Sequence, residues 1–286
     1  MIKRVGLFLV LIFPLLANAG QFSKGLLWEV TSQSGQVSHV LGTMHSDDPR
    51  ITSLALPVQQ AFDNAKSFTG EVMMDMTTIM SMSQMMYYTD GTQLKDVIGD
   101  DRFQKCTELL VQYGVPDFMV GMMKPWAVAT TISLPKPQTG QFLDLKLFQQ
   151  AMAAGKPVYG LESAHEQMSV MDDMPESEQI AMLDEAIENF DNLPGIFQRF
   201  VDAYLSRDLN QLVNLNEEFM KESDPAVAKR FEKNLLVKRN HLMADRMQPR
   251  LKEGNAFIAI GALHLPGNEG VLNLLARKGY RVKAVY

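Results

Sequence analysis

The chain has 286 residues, with 27 basic against 33 acidic side chains, a formal net charge of −6 and a single cysteine. That balance lacks the basic footprint that phosphate backbones demand, which excludes nucleic acid as an expected partner. One cysteine excludes an internal disulfide, so stability rests on a buried core, which a chain of this length can build.

Met1 to Ala19 opens with Lys3 and Arg4, runs apolar from Val5 to Leu16 and ends Ala17-Asn18-Ala19. A basic start, a short apolar stretch and an A-x-A ending mark a cleaved secretory signal, and the stretch is too short to span a bilayer comfortably. No later apolar run reaches transmembrane length. The expectation is an exported protein, in the periplasm, with no stable membrane anchor after cleavage.

Residues 20–286 then read as a single α/β domain. Leu26 to Thr31 and Gln36 to Leu41 are strand-like runs split by Ser32-Gln33-Ser34-Gly35, a hairpin signal. Pro57 to Ala65 carries apolar Val58, Ala61 and Phe62 at helical spacing, and Ser67 to Val72 is a strand with Glu71 near its end. A largely helical insertion is expected over about residues 75–250. It is interrupted by a helix from Leu143 to Ala154 and a strand from Val158 to Leu161 that leads into Glu162, and it closes with a helix from Leu235 to Lys252. The chain ends as strand, helix and strand: Ala256 to Ile260, Asn268 to Lys278 and Arg281 to Tyr286. The fold class is α/β, with a central mixed sheet drawn from both chain ends and a weak internal repeat of strand, Gly-x-x-His and helix.

That motif occurs as Gly42-Thr43-Met44-His45 and as Gly261-Ala262-Leu263-His264. Each glycine is expected to leave its strand through backbone angles closed to bulkier residues. The imidazole three positions on then falls at the carboxyl edge of the sheet, where open α/β sheets hold their ligands. Two imidazoles and the Glu71 carboxylate are suited to zinc, manganese, cobalt or iron and leave a position for water. Glu71 is equally suited to act as general base.

Glu162 and Arg239 are buried-looking charges, which need partners; they either pair with each other or line the cleft. Asn240 shares that ambiguity, while His39, His165 and His241 lack the Gly-x-x-His setting. Met73, Met74, Met76, Met80, Met82, Met85 and Met86 form a thioether cluster after the Glu71 strand. Core packing is its default reading, an adaptable wall for peptides the next and Cu(I) binding the last. The chain has no G-x-S-x-G elbow, HExxH pair or Gly-rich phosphate loop.

In these segments the chain resembles the TraB/GumN family, related to the Tiki proteases. The resemblance is carried by Leu41-Gly42-Thr43-Met44-His45, by Gly155 to Glu162 with Gln167 downstream, and by Gly261-Ala262-Leu263-His264-Leu265-x-Gly267. It implies an α/β fold with both histidines and the early glutamate at one cleft and, for the Tiki branch, metal-dependent peptidase activity. The expected function is therefore metal-dependent hydrolysis of a peptide or related amide. Its residues are His45 and His264 as ligands, Glu71 as ligand or base, and Glu162 and Arg239 in support. The rival readings are a non-catalytic periplasmic peptide-binding protein and a Met-rich copper-binding protein.

Overall fold

The computed structural model describes residues 22–220 and 232–286, so the secretory signal assigned to residues 1–19 lies outside the described residues. Their strands form one sheet: β1 (Leu27–Thr31), β2 (Val37–Thr43), β3 (Ser67–Val72), β4 (Val158–Glu162), β5 (Ala256–Gly261) and β6 (Arg281–Ala284). The spatial order is β4-β3-β5-β2-β1-β6. Only β1 runs against the rest, because the hairpin at Ser32–Gly35 turns the chain back, with Gly35 at φ +84°.

Helices fill the connections. α1 (Pro49–Thr52) and α2 (Leu56–Asn64) join β2 to β3. Then come α3 (Met76–Met85), α4 (Leu94–Ile98), α5 (Asp100–Leu110), α6 (Asp117–Val120), α7 (Pro125–Ile132) and α8 (Leu143–Ala153) before β4. After β4 follow α9 (Ala164–Asp172), α10 (Glu176–Asn189), α11 (Leu193–Leu205), α12 (Leu209–Met220), α13 (Lys238–Arg246) and α14 (Gln248–Glu253). α15 (Val271–Arg277) links β5 to β6. The helix expected from Leu235 to Lys252 is broken: a π-helical turn at Glu232–Val237 precedes α13, and Pro249 opens α14. Proline lacks an N–H and suits the first turn of a new helix, so it divides what periodicity alone reads as continuous.

β5 shows why the centre of the sheet is stable. It lies between β3 and β2, and Phe257, Ile258, Ala259 and Ile260 are all buried. A strand covered on both faces reads as an unbroken apolar run. On one face Phe62 of α2 meets Phe257 edge-on at 5.3 Å, with Phe68 beside it. A second apolar core lies within the helical region, around Leu94, Cys106, Leu110, Trp126, Ile132 and Leu183. Among the described residues no helix is long and apolar enough to cross a membrane.

The topology also places the site. The connection after β2 carries the chain across the position of β5 to β3, whereas the one after β5 carries it the other way, across β2 and β1 to β6. In an open α/β sheet, crossovers leaving in opposite directions open a crevice at the carboxyl ends of the two strands. β2 and β5 are parallel neighbours with Thr43 opposite Gly261, so both Gly-x-x-His segments border that crevice. The units they begin differ: one passes through α1 and α2, the other through a 3-10 turn at Ala262–His264 and α15. The shared motif does not amount to a demonstrated repeat.

Candidate functional site

The two motif glycines are needed for space rather than for unusual backbone angles. Neither has a positive φ; Gly261 sits at −54°. A Cβ on Gly42 would lie 2.7 Å from Cδ1 of Leu265 and 3.1 Å from the backbone of Ala262. A Cβ on Gly261 would come within 3.2 Å of Oε1 of Glu71, the same oxygen that accepts the Gly261 N–H at 2.6 Å. The expected strand exit through glycine-only angles is therefore corrected: close approach of neighbours is what requires glycine here.

Glu71 is the hub. Besides Gly261 it accepts from Nη2 of Arg239 at 2.6 Å and from Nε2 of Gln167 at 3.0 Å, both on Oε2. Arg239, on α13, also forks onto Glu162 at the end of β4, with contacts of 2.6 to 3.0 Å. Both Glu162 and Arg239 are buried. One guanidinium thus bridges two carboxylates. Burial alone would raise the Glu71 carboxyl, but the charges of His264 and Arg239 and the Gly261 amide hold it below the ordinary carboxylate range.

His264 is also buried, and burial pushes its imidazole down to about 4 against the pull of Glu71. It is neutral near pH 7, leaving Arg239 and the amide to hold Glu71 ionised. Nδ1 of His264 lies 2.6 Å from Oδ1 of Asn240, whose amide nitrogen is committed to the carbonyl of Glu269 at 2.8 Å. The Asn240 oxygen therefore accepts, and Nδ1 of His264 carries the proton. The consequence is a bare Nε2 that faces Oε1 of Glu71 across 3.8 Å. Two acceptors point at one another with no proton between them.

His45 stands apart from this pair. It is exposed, stacked on Phe142 with ring centroids 4.2 Å apart, and its Nδ1 is 4.0 Å from Oδ2 of Asp144. Asp144, on the first turn of α8, accepts from the Thr43 hydroxyl at 2.7 Å. Burial raises its carboxyl, and the charge of Glu71 adds to that effect against the hydrogen bond from Thr43 and the charge of His45. Among the described residues no three His, Cys, Asp or Glu side chains are grouped closely enough to hold a metal ion. Glu71 and His264 offer an oxygen and a nitrogen suited to a borderline divalent cation, and His45 follows β2, the strand paired with β5.

A TraB/PrgY/gumN family profile matches residues 26–284. The chain belongs to that family. Its relatives include the Metalloprotease TIKI1 of Danio rerio, 24% identical over 96% of this chain and 69% of that protein. The Metalloprotease TIKI2 of Xenopus tropicalis is 23% identical over 86% of this chain, which spans only 57% of that relative's length. The uncharacterised protein YbaP of Shigella flexneri is 21% identical over 86% of this chain and 90% of its own. No solved structure matches.

In this TraB/PrgY/gumN chain the structure gathers Glu71, Glu162, Arg239, Asn240 and His264 into one network. Sequence reasoning missed Asp144, Phe142 and Thr43 as neighbours of His45, since 101 positions separate Thr43 from Asp144. The acidic residue just inside the start of a predicted helix was the signal available. Of the methionine cluster, Met76 and Met80 depart from the core-packing reading, whereas Met86 packs on the second core. α3 has no buried residue, and Met76 and Met80 are 72% and 55% exposed, although Met73 and Met74 do pack on the main core.

Proposed function

We propose that this protein is an exported, metal-dependent hydrolase of peptide or related amide bonds, working at the β2–β5 crevice. The observation that carries this reading is the bare His264 Nε2 facing Oε1 of Glu71. Opposed acceptors repel unless a cation or a hydrogen-bond donor lies between them, and an imidazole lone pair beside a carboxylate is a common metal-binding pair. The TIKI relatives named as metalloproteases support the same reading.

In it, His264 and Glu71 hold the ion, and His45, at the end of the neighbouring strand β2, supplies the further nitrogen. A bound divalent cation would lower the pKa of water and polarise a substrate carbonyl. Asn240 fixes the His264 tautomer that keeps Nε2 available. Glu71, held ionised below the ordinary carboxylate value, is a poor match for a general base working near neutral pH. That favours ligation over proton abstraction. Arg239 offsets part of the negative charge and orients both carboxylates. The exposed methionines of α3, which begins four residues beyond the end of β3, supply an adaptable apolar wall for an extended peptide.

The test is elemental analysis of the purified protein together with cleavage of a peptide library, with and without chelator. A bound divalent metal and chelator-sensitive cleavage are expected. Peptide capture without cleavage would favour the non-catalytic binder. The exposed Met76 and Met80 give the copper reading its one footing, and Cu(I) titration of the Met80→Leu variant tests it. Export is proposed on residues 1–19 alone, and the intact mass of protein recovered from the exported fraction should begin after Ala19.

A further inference from the structure

The turn that carries His45 is gripped by a single segment of the chain, residues 138–144. Asp47 has one carboxylate oxygen, Oδ2, inside a cup of backbone amides, accepting from Gln138 at 2.6 Å, Thr139 at 2.6 Å and Gly140 at 3.1 Å. The Leu143 N–H donates to the carbonyl of Ser46 at 3.2 Å. Between these ties, Phe142 lies flat on the imidazole, its plane within 7° of it. Asp144 accepts the Thr43 hydroxyl on one oxygen at 2.7 Å and has the other 4.0 Å from Nδ1 of His45, a charge contact longer than a hydrogen bond.

We propose that Asp144 is a positioning residue for His45. Its carboxylate, 4.0 Å away, favours the proton on Nδ1 and leaves Nε2 as the lone-pair nitrogen, the tautomer that Asn240 sets at His264 by a direct hydrogen bond. Phe142 fixes the ring plane, and the Asp47 cup holds the segment that delivers both side chains. The relevance of this device to catalysis rests on the reading of His45 as a metal ligand, but the device itself is a matter of tautomer and ring orientation, which can be read without metal.

The anchoring by Thr43 makes the Asp144→Asn variant informative. The threonine hydroxyl donates, so the asparagine oxygen stays on that side and the NH2 group turns to His45. An amide donor facing Nδ1 favours its lone pair and moves the proton to Nε2, the form that cannot ligate through Nε2. Long-range 15N–1H correlation spectra of the metal-free full-length mature chain at about pH 8.5, where an ordinary imidazole is neutral, should therefore show His45 protonated on Nδ1 in the wild type and on Nε2 in Asp144→Asn. The Phe142→Ala variant should replace one ring environment by averaged signals, and Phe142→Tyr should restore it.

Zn2+ titration by calorimetry should show affinity reduced about 10- to 100-fold in Asp144→Asn, the usual cost of losing a residue that orients a ligand. An Nε2–H tautomer in the wild type would overturn the proposal without any variant, as would a tautomer unchanged by Asp144→Asn in a folded protein. Expected tautomers in a protein that takes up no Zn2+ would uphold the positioning and sink the metal-dependent reading instead, so the two failures are distinct.

Discussion

At the residue scale, the Glu71 carboxylate has three of its lone pairs occupied by Gly261, Arg239 and Gln167, and the fourth lies on the side of His264. Glu71→Gln keeps the shape and removes the charge. If Glu71 ligates, metal content and hydrolysis should fall together, the rate by at least ~10²-fold; a variant that keeps its metal and loses rate alone would make it the base. Full turnover with full metal would exclude both roles. Arg239 invites a different substitution. Arg239→Met strands Glu162 and leaves Glu71 without its guanidinium, and breaking a buried pair from one side costs about 3–5 kcal/mol. Urea unfolding should show that loss, and adding Glu162→Gln should recover part of it. Full stability of Arg239→Met would mean that the network holds little of the fold. The histidines and charges of this network stood out in the sequence because buried charge and motif glycines are conspicuous. What the glycines do was not legible, since a missing Cβ can signal either a special φ or a crowded neighbour, and here it is Leu265 and Glu71 that crowd.

At the scale of elements, α9 ties the edge of the sheet to α13. Ser163 and Glu166 form a reciprocal cap at its start, and Glu166 also pairs with Arg246, whose Nη1 donates to the Leu161 carbonyl of β4. Arg246 holds the Glu166 carboxyl down to about 2. A carboxylate depressed by folding adds stability that is fully present above its unfolded value of about 4.5 and fades as the pH falls through about 2. The gap between wild type and Glu166→Gln in urea melts should therefore be constant above about pH 5 and narrow below it; the pair is exposed, so it amounts to about 1 kcal/mol or less. A gap that stays constant down to about pH 2 would assign the effect to the cap geometry alone. In α3, replacing Met80, Met82 and Met85 with leucine should cost less than ~1.5 kcal/mol, as volume-conserving swaps do. The same change should alter which peptides are cleaved, and an unaltered cleavage profile would remove α3 from the substrate path. Strands were the most legible elements, β3 to the residue, because alternation and β-branched runs have few competing readings. The α13–α14 break was not, because Pro249 suits both a kink and a helix start.

At the scale of the whole molecule, the mixed sheet and its helical surround were legible, but the sheet is not drawn from the chain ends alone, because β4 joins it from within the expected helical insertion. The contacts across the crevice were not legible, because Thr43 with Asp144 and Glu71 with Arg239 join segments 101 and 168 positions apart. No window of sequence contains both partners. The same separation governs how the chain must assemble. β2 and β3 are not hydrogen-bonded to each other; each pairs with β5, which begins only at Ala256. A polypeptide emerging from a ribosome must therefore hold two unsatisfied strand edges until β5 arrives near its end, and pairing over such distances is slow. A chain ending at Gly254 should show no cooperative unfolding transition by circular dichroism, whereas a cooperative melt would mean that the earlier strands find another arrangement. The keystone is made near the end, so a half-synthesised chain holds neither the joined sheet nor the crevice between β2 and β5.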